Sequence, residues 1–212
     1  MTPERYAKIC RALAARQPDL TILHEDLHKT LNLAAIARTC ETVGVETIHA
    51  VANYRGNPLA GRGANRWVTR VGHASIEAAA ATLRGQGFHI LATHLAHDAV
   101  DYREIDYTQP TAIMLGNEEE GLSEQAFAQA DANIAIPLAG VVRSLNVSVA
   151  AAVILFEAKR QREDAGMYAP AITDQDAFQK RIFEASYPRV AACLRKRGEP
   201  YPPLDEEGIM IT

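Results

Sequence analysis

The sequence predicts an α/β fold in which helices flank a mainly parallel sheet, for three reasons. Short apolar segments typical of strands alternate along the chain with segments of helical periodicity. The 212 residues, 48% hydrophobic and 23% charged, have the composition of a globular protein with one sizeable core. Both ends are basic and helical in pattern. We therefore predict an α/β domain at residues 19–168, with helical extensions at residues 1–18 and 169–212.

The strands of this domain are predicted from short runs rich in β-branched and other apolar residues. Six segments qualify: residues 19–23, 45–51, 68–71, 88–93, 112–115 and 134–137.

Helices are predicted where apolar residues recur at helical spacing. Asn32 and Ser75 are candidate N-caps, and Gly44 follows the second helix as a C-cap. The tail is expected to form two short helices that separate at Pro188 and to end irregularly. The predicted helices cover residues 3–16, 33–43, 76–84, 124–130, 147–163 and much of 174–197.

Composition also limits the classes of function. No apolar run approaches the roughly 20 residues needed to span a bilayer, and residues 1–5 do not resemble a secretory signal. The three cysteines are few and far apart, which favours reduced thiols in a cytoplasmic protein. His89, His94 and His97 match no common zinc spacing, so we expect no metal.

The net charge of −4 argues against nucleic acid as a partner, but the charge is uneven. Basic residues concentrate in residues 4–16 and 180–197, where the alternatives are a solvated helix face and an RNA contact. A Gly-, Asn- and Arg-rich loop is predicted at residues 53–66. Basic and aromatic residues that could hold RNA alternate in and beside it: Tyr54, Arg55, Arg62, Arg66, Trp67 and Arg70. Trp67 could equally belong to the core.

Residues 136–150 are the strongest indication of a functional site. An apolar strand leads through a turn into an Ala- and Val-rich helix, and Ser144, Asn146 and Ser148 stand at the entry. An amide buried there costs about 1–3 kcal/mol unless it is hydrogen-bonded. Ordinary folding does not require it, so the segment is interpreted as a site.

Residues 116–123 form a second candidate, because ligands of α/β sheets bind at the carboxyl ends of strands. Three successive carboxylates, Glu118 to Glu120, suit a cationic or polar ligand better than a phosphate. A solvated surface turn is the alternative. Arg38 lies among Ala35, Ile36 and Ala37, which indicates an anionic partner, either a ligand or a structural salt bridge.

Three stretches together resemble, in order and spacing, the motifs of the SpoU family of RNA ribose methyltransferases, within the SPOUT superfamily. They are NLAAIART at residues 32–39, LGNEEEGLS at residues 115–123 and IPLAGVVRSLNVSVA at residues 136–150. Each motif alone is weak, whereas the ordered set is specific. Further stretches, at both ends and at residues 90–95, 100–107 and 165–168, are similar to the members that methylate guanosine 18 in the D-loop of tRNA.

The resemblance implies a trefoil knot in the carboxyl-terminal part of the domain, a homodimer, S-adenosylmethionine as cofactor and tRNA as substrate. It places Arg38, Asn32, Glu118 and Asn146 at catalytic or supporting positions. The implied cofactor contacts are Thr93, Leu115, Gly116, Ile136 and Leu145. The implied RNA contacts are Arg5, Lys8, Arg11, Arg16, Arg160 and Arg162.

The chain departs from the family pattern at two points. Glu119 stands at a position where the family often has Lys. Arg143 stands at a position where the family often has a neutral residue. Three alternatives remain: the same chemistry on another tRNA or ribosomal RNA nucleotide, a non-catalytic RNA-binding paralogue, and an unrelated nucleotide-binding enzyme. The last lacks a Gly-rich phosphate motif.

Overall fold

The computed structural model describes residues 1–51, 67–94, 98–170, 172 and 174–211. Two compact units result: Gln17–Met167, and a second unit that combines Met1–Arg16 with Tyr168–Thr212. The two terminal extensions, predicted as separate segments, thus belong to one unit. The whole predicted Arg-rich loop at residues 53–66, with Tyr54, Arg55, Arg62 and Arg66, lies outside the described residues, as does His97.

A sheet of seven strands, counted over the described residues, organises the Gln17–Met167 unit. Its order is β3-β2-β1-β6-β4-β7-β5, and every neighbouring pair is parallel. The carboxyl ends of β6, β4 and β7 therefore lie side by side at one edge. The strands are β1 (Leu20–Glu25), β2 (Thr47–Val51), β3 (Thr69–His73), β4 (His89–Thr93), β5 (Val100–Asp101), β6 (Thr111–Leu115) and β7 (Ala132–Ala135).

Helices cover both faces of this sheet. Residues of α2 and α5 share one buried apolar cluster, and residues of α3 and α4 share the other. Strands of such a sheet are covered on both faces, which is why all five residues of β6 are buried. The helices of this unit are α2 (Thr30–Thr42), α3 (Ile76–Gly85), α4 (Glu124–Phe127) and α5 (Val147–Asp164).

The terminal unit is helical. It contains α1 (Pro3–Ala14), α6 (Gln175–Ser186) and α7 (Pro188–Arg197). The rings of Phe183 and Tyr201 stack with their centroids 4.7 Å apart, and the Tyr187 hydroxyl donates to the Gly208 carbonyl at 2.7 Å. The predicted division of the tail at Pro188 is confirmed, since Pro188 is the first residue of α7. Across the described residues, no helix is both long and apolar enough to cross a membrane.

Several predicted boundaries are wrong. The strand predicted at residues 134–137 ends at Ala135, so Ile136 and Pro137 begin the following loop. The helix predicted at residues 124–130 ends at Phe127. β5 was not predicted, because two residues that pair only with β7 carry no periodicity.

Asn32 is not the N-cap of α2. That helix starts two residues earlier, with Lys29 as N-cap, and Lys29 makes no side-chain capping bond. Asn32 lies in the first helical turn and is buried.

Arg162 is a structural residue of the fold, which corrects its prediction as an RNA contact. Its side chain is fully buried in α5. The guanidinium pairs with Asp19 at 2.5 Å and donates to the Gln17 side chain at 3.0 Å and the Tyr107 carbonyl at 2.8 Å. It also donates to the main-chain carbonyls of Asp19 and Gln109. A side chain so enclosed cannot reach a phosphate in solvent.

Candidate active site

A cavity of about 490 Å³ opens at the carboxyl ends of β4, β6 and β7. This is where ligands of open α/β sheets are expected to bind. The loops after the three strands supply most of the wall, and the start of α5 completes it. The lining residues include Lys29, Thr93, His94, Gly116, Glu118, Glu119, Glu120, Ile136, Leu138, Ser144, Leu145, Asn146 and Ile154.

The loop after β6 is held tightly against itself. Asn117 and Gly121 exchange main-chain hydrogen bonds of 2.8 and 3.0 Å, and Gly121 has a positive φ of 78°. A Cβ at Gly116 would overlap the peptide that joins Gly121 to Leu122. Gly116 is therefore required by the close approach of the two ends of the loop.

Glu25, at the end of β1, fixes the far end of this loop. Its carboxylate accepts from the main-chain N–H of Ser123 at 3.0 Å and from the Ser123 hydroxyl at 2.9 Å. The same hydroxyl accepts from the Ala126 N–H and caps α4. Glu25 is not among the predicted site residues, although a carboxylate at the end of a strand is a usable signal.

Glu118 caps α2 from a distant part of the chain. Its carboxylate accepts from the main-chain N–H groups of His28 at 3.4 Å and Lys29 at 3.2 Å, and from the Asn32 side chain at 2.8 Å. Desolvation raises the pKa of Glu118, but these hydrogen bonds outweigh it and hold the pKa below its usual value. Glu118 is therefore an anion placed at the positive end of a helix.

Asn146 links α5 to the same network. As N-cap of α5, its Oδ1 accepts from the main-chain N–H and the hydroxyl of Ser148, at 2.9 and 2.6 Å. Its Nδ2 donates to Asn32 Oδ1 at 3.2 Å. Asn146 is exposed, so the expectation of a buried amide is wrong. The inference that its polar group needs a partner holds, because the partners are Ser148 and Asn32.

Three of the four predicted catalytic residues are thus joined by hydrogen bonds, and Arg38 is not among them. Arg38 is exposed on α2 and is not part of the cavity lining. Among the described residues its guanidinium has neither an ion pair nor a hydrogen bond. The predicted intramolecular anionic partner is therefore absent there, and the cation remains available to a ligand.

The predicted cofactor contacts come together in part. Thr93, Gly116, Ile136 and Leu145 line the cavity, whereas Leu115 is fully buried beneath it. The Thr93 hydroxyl donates to the Met114 carbonyl at 3.0 Å.

The lining of the cavity includes two chemically distinct groups of residues. Leu138, Leu145 and Ile154 are apolar and suit a flat ring, and Glu118 to Glu120 are acidic and suit a positive charge. S-adenosylmethionine has both features, an adenine and a sulfonium, so the residues present fit it. His94 and Leu138 line the cavity but are not among the predicted cofactor contacts. Each lies after the carboxyl end of a strand, and that position indicates a place where a ligand could bind.

The predicted RNA contacts differ in accessibility. Arg5, Lys8 and Arg11 are exposed on α1, whereas Arg16 is buried, which corrects its prediction as an RNA contact. Arg160 is exposed but pairs with Glu157 at 2.7 Å and Asp164 at 2.8 Å.

Family comparison agrees with this geometry. The SpoU rRNA Methylase family matches residues 19–156, and the SpoU rRNA methylase C-terminal family matches residues 160–212. The chain belongs to the SpoU methylase family.

Individual SpoU relatives are similar over most of their length. A tRNA (guanosine(18)-2′-O)-methyltransferase of Escherichia coli strain K12 is 48% identical over 213 residues, which cover 98% of this chain and 93% of that protein. The crystal structure of the A. aeolicus TrmH/SpoU tRNA modifying enzyme superposes with a TM-score of 0.75 at 35% identity, covering 86% of this chain and 96% of the other. An AdoMet-bound rRNA methyltransferase from Sinorhizobium meliloti has a TM-score of 0.59 at 29% identity, with 71% and 59% covered.

Proposed function

We propose that this SpoU protein transfers a methyl group from S-adenosylmethionine to the ribose 2′-oxygen of guanosine 18 in the D-loop of tRNA. The observation that carries the proposal is the hydrogen-bonded series Glu118–Asn32–Asn146, whose two end residues line the cavity. Its residues are those that the family motifs single out. The near full-length similarity to a tRNA (guanosine(18)-2′-O)-methyltransferase supports the choice of nucleotide.

S-adenosylmethionine, when bound, supplies an already activated methyl group. Thr93, Gly116, Ile136 and Leu145 would hold it, and the carboxylates of the cavity would favour its positive charge. What remains for the protein is to align the ribose with the methyl group. The rigid loop that carries Glu118 and the N-terminus of α5 that carries Asn146 are suited to that task.

Arg38 would grip the phosphate beside the target ribose and polarise its hydroxyl. A guanidinium has a pKa above about 12 and resists deprotonation, so we assign it to charge stabilisation before proton abstraction. Its exposure and its lack of a partner within the described part of the chain support this assignment.

We further propose a homodimer. Val149 and Phe156 lie seven residues apart on α5 and therefore share a face, yet they are 47% and 50% exposed. Val141, in the loop before α5, is fully exposed. A second copy of the chain packing on this face would remove the apolar surface from water.

The family resemblance also leads us to propose the trefoil knot and a cytoplasmic location. In support of the knot, residues 136–146 return the chain from β7 to α5, which packs beside α2 on the same face of the sheet. In support of the cytoplasm, Cys10, Cys40 and Cys193 form no disulfide.

The deciding experiment incubates the purified protein with unmodified tRNA and labelled S-adenosylmethionine and maps ribose methylation by mass spectrometry. We expect 2′-O-methylguanosine at position 18. Methylation of a different nucleotide would reject the choice of substrate. Cofactor binding without methylation of tRNA or ribosomal RNA would favour a non-catalytic RNA-binding paralogue.

A further inference from the structure

The mouth of the cavity is acidic, which is unfavourable for a polyanionic substrate. Glu119 and Glu120 line it and are exposed. Their main-chain N–H groups donate to the Asn117 side chain, at 2.7 and 3.3 Å. Their carboxylates have no cationic partner among the residues that the structure describes. An RNA backbone that approaches within a Debye length, about 8 Å at physiological salt, would be repelled unless cations offset them.

Lys29 is one such cation. Its main-chain N–H donates to Glu118, so its backbone is fixed at the start of α2, and the residue is exposed and lines the cavity. Within the described ranges its ammonium group makes no ion pair. A fixed backbone and an unpaired ammonium suit a contact with a ligand that arrives from solvent.

Arg143 is the other. It directly precedes Ser144 and Leu145, which both line the cavity, and it is exposed. Its guanidinium, like the Lys29 ammonium, pairs with no described carboxylate. Lys29 and Arg143 thus belong to two different segments that meet at the cavity, the start of α2 and the loop after β7.

We propose that Lys29 and Arg143 bind phosphates of the RNA backbone on either side of the ribose that enters the cavity. They would offset the repulsion from Glu119 and Glu120 and position the RNA strand. A planar guanidinium binds phosphate through two parallel hydrogen bonds, and an ammonium binds it as a point charge. The inference rests on the proposed function, because it requires RNA as the substrate.

The test measures the dissociation constant for tRNA against salt concentration for Arg143→Gln and Lys29→Gln. Loss of a charge-assisted hydrogen bond should raise Kd about tenfold at low salt. Loss of one phosphate contact should reduce the slope of log Kd against log salt by about 0.7. Affinity for S-adenosylmethionine should not change in Arg143→Gln, because Arg143 does not line the cavity. Glu119→Gln combined with Glu120→Gln should tighten tRNA binding.

Arg103→Gln is the matched control, because Arg103 is 60% exposed but paired with Asp101 at 2.5 Å. It should leave Kd and slope as in the unmodified protein. An unchanged slope in both variants would overturn the proposal, as would a loss of cofactor affinity in Arg143→Gln equal to its loss of tRNA affinity. Failure of the proposed function is seen separately, as tRNA binding by the unmodified protein without methylation.

Discussion

At the scale of single residues, the environments of Glu118 and Arg38 are opposite. Glu118 is fixed by three hydrogen bonds, whereas Arg38 is exposed and unpaired among the described residues. A fixed anion and an available cation suit different tasks. We assign Glu118 to holding the protein in shape and Arg38 to contact with the substrate.

Replacing Arg38 should separate catalysis from cofactor binding. We expect Arg38→Ala to lower the methylation rate by about two to three orders of magnitude, because a donor that stabilises charge at the reacting group is lost. Its affinity for S-adenosylmethionine should stay within about twofold, since Arg38 does not line the cavity. Single-turnover methylation and isothermal titration calorimetry measure the two quantities. Arg84→Ala, on α3, is the control, and near-normal turnover of Arg38→Ala would refute the assignment.

His24 should make the protein less stable in acid. Burial, and secondly the charge of Arg70, lower the pKa of His24 from 6.5 to about 4. As pH falls below 6.5 the unfolded ring takes up a proton before the native one, so native stability is lost between pH 6.5 and about 4. The loss from His24 is about 2 kcal/mol between about pH 7.5 and 5.

Urea unfolding at several pH values measures this loss. In His24→Leu the decrease in unfolding free energy with falling pH should be smaller by the amount attributed to His24. His49 should also lower the stability in acid, since burial and the neighbouring His73 lower its pKa to about 4. Replacement of the exposed His89 by Leu serves as the control. Identical slopes for His24→Leu and the unmodified protein would contradict the attribution.

At the scale of elements, the loop after β6 depends on one glycine. In Gly116→Ala the new methyl group would overlap the main chain at Gly121 and Leu122 and displace the loop that carries Glu118. We expect at least a tenfold loss of affinity for S-adenosylmethionine, measured by calorimetry. Gly140→Ala is the matched control, since a Cβ there meets nothing within 4 Å. Equal affinities for S-adenosylmethionine in the two variants would show that displacement of the loop does not affect cofactor binding.

The packing of α5 depends on Arg162. Arg162→Leu would leave Asp19, Gln17 and several carbonyls without their buried donor, and we expect a loss of about 3–5 kcal/mol in unfolding free energy. Arg160→Gln should cost less than about 1 kcal/mol, because the Arg160 side chain is 59% exposed in both of its ion pairs. Chemical denaturation compares the two. A stable Arg162→Leu with weakened tRNA binding would instead restore Arg162 as an RNA contact.

Sequence patterns predicted the elements whose signal is local. β1, β4, β6 and α5 were found because their apolar residues recur with the right period, and the start of α5 was found from Val147 onward. The start of α2 was misplaced, because the group that caps it, Glu118, lies about ninety positions further along the chain. Arg162 was misassigned for the same reason, since its partner Asp19 is 143 residues away. Motif order supplied the site residues, whereas tertiary contacts decide which of them face solvent.

At the scale of the molecule, the two units carry different charge. Residues 1–16 and 168–212 contain ten Lys and Arg against eight Asp and Glu, whereas residues 17–167 contain twelve against eighteen. The net charge of −4 therefore combines +2 on the terminal unit with −6 on the unit that holds the cavity. A polyanion is attracted to the terminal unit more than to the unit that holds the cavity.

Assembly should depend on the exposed face of α5. Phe156→Glu would place a charge in the proposed interface between two copies, and we expect the protein to change from dimer to monomer. Light scattering coupled to size-exclusion chromatography measures the mass. Glu163→Gln, further along α5, should leave it unchanged. A dimeric Phe156→Glu variant, or a monomeric unmodified protein, would show that this face of α5 is not a dimer interface.

Asn146 serves the site and the fold at once, and this limits how the enzyme can vary. The amide that faces the cavity also caps α5 and holds Asn32, so a change there alters the helix start, the neighbouring helix and the reaction together. A substitution of Asn146 should therefore affect the activity and the start of α5 together, and not the activity alone. Evolutionary change of substrate is therefore expected through side chains that touch only the ligand, while Asn146 itself is retained.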